Sequence, residues 1–115
     1  MNSRAFDRKS VRMSVTLLLV GQLLYIVITQ FHAGGDANNH PAVFAGYASS
    51  RIWTAVHVGQ FAATATFLAG LFALFYSLDV QAGTARWVTR FGAASAAATL
   101  ALYGVLQAVD GVALK

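Results

Sequence analysis

The sequence predicts an all-α transmembrane bundle of three spanning helices, and two observations carry that prediction. The first is a set of three long apolar runs at residues 13–31, 52–78 and 91–114. Each is at least as long as the roughly 18–20 residues that an α-helix needs to cross the hydrocarbon core. The second is composition, with 57% hydrophobic and only 10% charged residues, whereas soluble domains carry about 25% charged residues. Because these runs have no charged face to present to water, a soluble helical core is a poor alternative.

The runs place the spanning helices at about residues 12–31, 51–78 and 87–112, within a single domain over residues 1–115. The connection between the first two, residues 32–50, is rich in Gly, Asn, Ala and Ser. It is long for a link between helices, and such loops often carry function. Pro41 is favoured in a first helical turn, so a short interfacial helix is expected over residues 41–47. A short loop with Gly83 as its turn residue leads into the third span.

The basic residues predict how the chain is oriented. Six of the eight lie in the N-terminal tail or between the second and third spans: Arg4, Arg8, Lys9, Arg12, Arg86 and Arg90. The positive-inside rule then predicts a bacterial inner-membrane protein with a cytoplasmic N-terminus and an outer C-terminus. The tail is expected to lie on anionic lipid rather than nucleic acid, since no aromatic residues interleave it. Trp53 and Trp87 are expected to anchor the second span at the two membrane surfaces.

Each span carries polar side chains spaced so that they share one helix face. These rows comprise Ser14, Gln22, Tyr25 and Thr29, then Trp53, His57, Gln60 and Thr64, then Ser95, Thr99, Tyr103, Gln107 and Asp110. Because lipid offers them no partner, the rows are expected to face one another and form hydrogen bonds between helices. A hydrated pocket or ligand cavity between them is the alternative. Small residues at 92–98 and at the Gly104, Ala108 pair should let the third span approach a neighbour closely.

All three histidines and two of the acids are predicted to lie on the outer side. They are His32, His40, His57, Asp36 and Asp110. Three interpretations remain open for them. His57 could be structural, bonded to Gln60, Asp110 or a loop carbonyl. The set could hold a divalent metal, with ligand types that suit zinc but no short ligand spacing. His57 could also bind haem, with its second ligand from the loop or from another copy of the chain.

Two segments carry a resemblance to known proteins. One is Ile52–Phe61, with its W-x3-H-x2-Q pattern, preceded by His40-Pro41; the other is Gln107–Lys115. Together they resemble the N-terminal half of a group of uncharacterised bacterial multi-helix integral membrane proteins. The resemblance implies no activity. It does imply further helices after the third span, so the chain is expected to be part of a larger bundle.

The functional prediction follows from what the chain lacks. No nucleophile–base pair, phosphate-binding loop or paired carboxylates are present, so no catalytic residue is predicted. Without cysteine there is no thiolate chemistry. The expected function is therefore a structural or accessory subunit of a membrane assembly, partnered by its own copies or by other membrane subunits. Two alternatives are a haem- or metal-binding redox component centred on His57, and a small proton-linked transporter using Asp110.

Overall fold

The computed structural model describes residues 8–78 and 83–113 and is built from four α-helices. They are α1 (Arg8–Thr29), α2 (His40–Ser49), α3 (Trp53–Leu78) and α4 (Gly83–Ala108). The chain continues from α4 into a π-helical turn, Val109–Ala113. Three helices are long and apolar enough to cross a membrane: α1, α3, and α4 with its π-helical extension. The described residues contain no strand. The predicted all-α bundle of three spans is therefore confirmed.

Three span boundaries lie four residues from their predicted positions, and two others differ by two residues. Helix α1 begins at Arg8 rather than residue 12, and α4 begins at Gly83 rather than residue 87. Gly83 has a φ of +69°, a value that glycine adopts without strain. No helix-breaking residue follows Gly83, so α4 begins directly there. At the other end, α4 leaves α-helical geometry at Ala108 and widens into the π-helical turn. The remaining part of the predicted loop, residues 79–82, lies outside the described residues.

The predicted short helix is present as α2, and its start follows standard capping chemistry. The Asn39 side chain accepts a 3.3 Å hydrogen bond from the backbone N–H of Ala42. Pro41 occupies the first turn, where its missing N–H costs nothing. Ser50 ends the helix by donating its backbone N–H to Gly46. The end of the bundle that carries this helix is called the α2 end below.

Helices α1 and α3 are antiparallel, and their backbones touch at two glycines. A Cβ on Gly21 would lie 2.5 Å from the backbone nitrogen of Phe67. A Cβ on Gly70 would lie 2.8 Å from the backbone nitrogen of Leu18. Both distances are far inside van der Waals contact. Small residues at these positions let membrane helices approach closely and gain packing energy. Ser14 and Ala63, each one heptad from a glycine on its own helix, are also buried.

Polar residues join the spans close to the α2 end. Gln60 is buried and donates from Nε2 to the Thr29 hydroxyl at 3.1 Å. The Tyr103 hydroxyl donates to that of Tyr25 at 3.2 Å, which links α4 to α1. For these residues the predicted inward rows meet within the chain. Gln22, Ser95 and Thr99 also belong to those rows, but all three are exposed.

Helix α4 is the least buried of the spans. Only 6% of the residues in its most apolar stretch are buried, compared with 17% in α3. Gly104 does meet a close neighbour, as its small size predicts, but that neighbour belongs to the same chain: a Cβ on Gly104 would lie 3.1 Å from the ring of Phe61. A Cβ on Gly92 would meet no atom within 4 Å. Gly92 therefore has free space beside it, whereas Ala96, one turn later, is buried in the single chain.

Candidate functional site

Four rings form a cluster at the α2 end: His32, Tyr47, Trp53 and His57. Trp53 is at its centre and only 2% exposed. The Tyr47 ring stacks on it with centroids 4.0 Å apart, while the His57 and His32 centroids lie at 4.3 and 4.8 Å. Sequence spacing explains part of this arrangement, because residues four apart share a helix face. The sequence predicts Trp53 as an interfacial anchor, but it is a core residue, whereas Trp87 is exposed.

The turn that follows α1 brings His32 into this cluster. The backbone N–H groups of Gln30, Phe31 and His32 each donate to the carbonyl three residues earlier. Such bonds tighten the last turn of a helix and satisfy its free carbonyls. His32 then packs against Trp53, and its Nδ1 bonds the carbonyl of Ala33 at 2.8 Å.

The π-helical turn packs against the ring cluster from the α4 side. Its backbone presents two carbonyls to α3: that of Asp110 accepts from Trp53 Nε1 at 2.6 Å, and that of Gly111 accepts from the Thr54 hydroxyl at 2.7 Å. A Cβ on Gly111 would lie 2.7 Å from the Cβ of His57, so only glycine fits there. Short π-helical turns often mark functional sites. Here the turn ties the end of α4 to the start of α3.

Hydrogen bonding fixes the tautomer of His57, which is only 3% exposed. Its Nδ1 bonds the carbonyl of Trp53 at 2.9 Å. A carbonyl can only accept, so Nδ1 carries the hydrogen and the neutral ring keeps a lone pair on Nε2. The same reasoning applies to His32 and its bond to Ala33. Two imidazoles with accepting Nε2 atoms therefore lie with their centroids 5.2 Å apart.

The five residues predicted as metal ligands do not gather into one site. His32 and His57 come together, whereas His40 and Asp36 are exposed. Asp36 instead accepts the backbone N–H of Asn38 at 3.0 Å, and Asp110 contributes its backbone carbonyl. Within residues 8–78 and 83–113, no three His, Asp or Glu side chains are placed to hold a metal ion together.

As placed, the two histidine rings are closer together than the two axial ligands of a haem. With metal–nitrogen bonds of about 2.0–2.1 Å, imidazoles on opposite sides of an ion have centroids about 6 Å apart. The observed separation is 5.2 Å. The pair could offer two nitrogens to one ion only from the same side, and the remaining ligands would have to come from outside the described residues.

A groove lies between α3 and the end of α4, next to the ring cluster. Its volume is about 220 Å³, and it is called the His57 groove below. Its polar lining comes from Thr54, His57 and Gln107, and its apolar lining includes Phe61 and Val112. The Gln107 side-chain oxygen is buried and has no hydrogen-bond partner among the described residues. Buried polar atoms are normally paired, so an orphan of this kind calls for an explanation.

A second feature runs along the exposed surface of α4. Six residues recur at alternating intervals of four and three, the spacing of a helix-pairing seam. They form the α4 stripe: Val88, Gly92, Ser95, Thr99, Leu102 and Leu106. All six are exposed. Among the described residues, the hydroxyls of Ser95 and Thr99 have no hydrogen-bond partner.

Sequence reasoning missed three contributors to the α2 end: Thr54, Tyr47 and Gly111. Gly111 left a detectable signal, since a glycine directly after the only acid of the third run marks a break in the helix. Tyr47 and Thr54 left none, because their partners are 6 and 57 residues away in sequence.

Comparisons with protein-family models, with curated proteins and with solved structures gave no match. The described residues form a helical bundle with three candidate membrane spans, an ordered α2 end, and two surfaces, the His57 groove and the α4 stripe, whose polar groups have no partner among those residues.

Proposed function

We propose that the protein is an accessory subunit of a membrane assembly and that the α4 stripe receives a helix of its partner. The observation that carries this proposal is the pair of unbonded hydroxyls, Ser95 and Thr99, exposed in the middle of a membrane span. Several hydroxyls elsewhere in the spans are satisfied within their own helix. Ser14, Thr66 and Thr89, for example, each donate to the carbonyl four residues earlier.

The composition of the stripe supports a helix as the occupant. Small and hydroxyl-bearing residues at an interface let two membrane helices approach closely and hydrogen-bond across the contact. Gly92 and Ser95 provide the close approach, and Thr99 follows one turn later. Leu102 and Leu106 supply apolar packing nearer the α2 end. A lipid chain would use none of the polar positions.

Polar side chains beside the stripe support the same occupant. Tyr103 on α4 and Tyr25 on α1 meet through their hydroxyls. One turn further from the α2 end, Thr99 on α4 and Gln22 on α1 are both exposed. Gln22 lines a hollow of about 200 Å³ on α1 and α3, together with Tyr25 and Thr64. A partner helix lying along the stripe would meet both polar side chains.

The orientation of the chain in the membrane is part of the same proposal. The distribution of basic residues favours a bacterial inner membrane, with the N-terminus in the cytoplasm and the α2 end outside. Since the chain has no cysteine, single cysteines at Ser3 and Asn38 can be labelled selectively. We expect a membrane-impermeant maleimide to label intact cells at residue 38 only. Labelling at residue 3 alone would reverse the orientation.

The partner is tested by substituting Gly92. Gly92→Leu adds bulk to the stripe beside the hollow between α3 and α4. A Cβ there meets no atom of the described residues outside its own stretch of helix, so the fold should tolerate the change. Ala98→Leu is the matched control, because Ala98 is also exposed on α4 but lies off the stripe. Native mass spectrometry of mildly extracted membranes should find an assembly for the control and a lone chain for Gly92→Leu. An assembly that survives Gly92→Leu would contradict the proposal.

The paired imidazoles support a second candidate, a subunit that binds a transition metal through His32 and His57. The same preparation tests it. Metal analysis should find one equivalent of zinc or copper in the intact assembly and none in His57→Ala. Absence of metal from an assembly purified out of metal-replete cells would remove this candidate and leave the first untouched.

A further inference from the structure

We propose that the His57 groove binds the hydroxylated head group of a lipid-soluble quinol. This binding site is distinct from the partner surface. Successive residues of an α-helix are about 100° apart around its axis. Gly104 and Ala108, which line the groove, therefore lie on the opposite flank of α4 from the stripe.

The polar atoms of the groove select a hydrogen-bond donor. The buried side-chain oxygen of Gln107 is an acceptor without a partner among the described residues. His57 offers a second acceptor, Nε2, because its Nδ1–H is already bonded to the Trp53 carbonyl. A ligand made only of carbonyl or ether oxygens would leave both acceptors unpaired. Hydroxyl groups would satisfy them, at a site where each unpaired buried group costs free energy.

Neighbouring side chains leave the buried Gln107 oxygen without a donor. The Gln107 side chain lies next to the Tyr103 hydroxyl, which itself donates to Tyr25. The Tyr103 hydroxyl is thus already paired with another hydroxyl, and it makes no hydrogen bond to the Gln107 oxygen. The Thr54 hydroxyl is equally committed, to the carbonyl of Gly111. The donor that completes the Gln107 carboxamide is therefore missing from the described chain.

The walls of the groove suit an aromatic ring. Phe61 and Val58 provide apolar surface on α3, while Gly104 and Val112 line the α4 side. A volume of about 220 Å³ accommodates one substituted ring; sites for larger, drug-sized ligands hold about 300–1,000 Å³. Because the Phe61 ring already packs against Gly104, the ligand ring would lie in the open part of the groove, against Val58 and Val112.

Access to the groove matches a ligand that travels in the bilayer. Val58 and Val112 line it and are 61% and 67% exposed. In a membrane those side chains border lipid, so an isoprenoid tail could leave the groove sideways without crossing the bundle. A freely water-soluble phenol would gain nothing from such an opening.

Trp53 provides the signal for a binding experiment. It bonds the carbonyl of Asp110, beside the groove, and Trp87→Phe leaves it as the single tryptophan. The protein in lipid nanodiscs is titrated with a short-chain ubiquinol kept reduced, and in parallel with the dimethyl ether of the same quinol. We expect a saturable change in Trp53 fluorescence with the quinol and about tenfold weaker binding of the ether, the factor that corresponds to about 1.4 kcal/mol.

Single substitutions then test whether the quinol binds in the His57 groove. Gln107→Leu keeps the side-chain size and should weaken the quinol about tenfold without changing the ether. Gln30→Leu, an equal change at an exposed glutamine whose side chain bonds the Ile26 carbonyl, should leave both titrations unchanged. Val112→Phe fills the groove from an exposed position and should weaken both ligands. Equal affinity for quinol and ether, or full quinol affinity in both Gln107→Leu and Val112→Phe, would overturn the proposal.

Discussion

The two helix pairs of the bundle are built on different principles. Helices α1 and α3 meet backbone to backbone at Gly21 and Gly70, and a buried hydrogen bond from Gln60 to Thr29 joins them. Helices α3 and α4 touch at the α2 end and then leave a hollow of about 250 Å³ between Phe72 and Gly92. The first pair is closed by the chain itself. The second leaves grooves, unpaired polar atoms and an exposed stripe.

We therefore assign stability mainly to the α1–α3 pair and function mainly to α4. In lipid, helix association depends on packing and polar contacts, because the apolar side chains gain little by leaving the hydrocarbon. The α1–α3 pair uses both contributions and can act as a scaffold. Helix α4 makes few packing and polar contacts with the other spans, apart from the hydrogen bond between Trp53 and the π-helical turn. Its unused groups are the ones to which we assign the partner and the ligand.

The largest effect should follow from breaking the α1–α3 contact. Gly21→Leu places a side chain where a single Cβ already lies 2.5 Å from the Phe67 backbone. Backbone cannot move aside as a flexible side chain can. We expect the free energy of unfolding in detergent, measured by titration with sodium dodecyl sulfate, to fall by about 3 kcal/mol or more.

Gly92→Leu is the matched change on the open helix. It adds the same side chain to a position with no neighbour within 4 Å, so the stability of the isolated chain should stay within about 0.5 kcal/mol of the wild type. If both leucines cost the same, the two helix pairs are equally packed and the contrast between them is false.

A smaller effect should come from the polar contact in the closed pair. Gln60→Leu, Thr29→Val and the double variant form a cycle that isolates their hydrogen bond. The expected coupling is about 0.6 kcal/mol, the average for such bonds between membrane helices, and at most about 1.7 kcal/mol. Ser95→Ala and Thr99→Val should show no coupling and almost no cost in the isolated chain. A coupling near zero for Gln60 and Thr29 would remove polar bonding as a stabilising contribution to α1–α3.

Much of the architecture could be predicted because lipid imposes simple rules. Three apolar runs of sufficient length give three spans, and Pro41 gives the start of α2. The polar rows correctly indicate that Gln60 and Tyr103 face other helices. These features depend on composition and periodicity, which are local properties of the chain.

The features that could not be predicted depend on which helices pair and on how far each is shifted along its axis relative to its neighbour. Gly21 and Gly70 look like any other small residues until α1 and α3 are aligned antiparallel, which brings each against the opposing backbone. Trp53 has the composition and position of an interfacial anchor, yet it is buried because the π-helical turn presents the Asp110 carbonyl to its indole. Of the predicted metal set, His32 and His57 come together, and the described residues add no third ligand to them. Residues on one side of a membrane can still be far apart across the bundle.

Site-specific photocrosslinking in native membranes tests the central claim most directly. A benzophenone amino acid is placed at Thr99, on the α4 stripe, and in a second variant at Val105, which is equally part of α4 but exposed off the stripe. We predict one discrete crosslinked protein product from residue 99 and none from residue 105. Crosslinking to lipid alone at both positions, or the same protein product from both, would contradict the assignment of the α4 stripe to a partner helix.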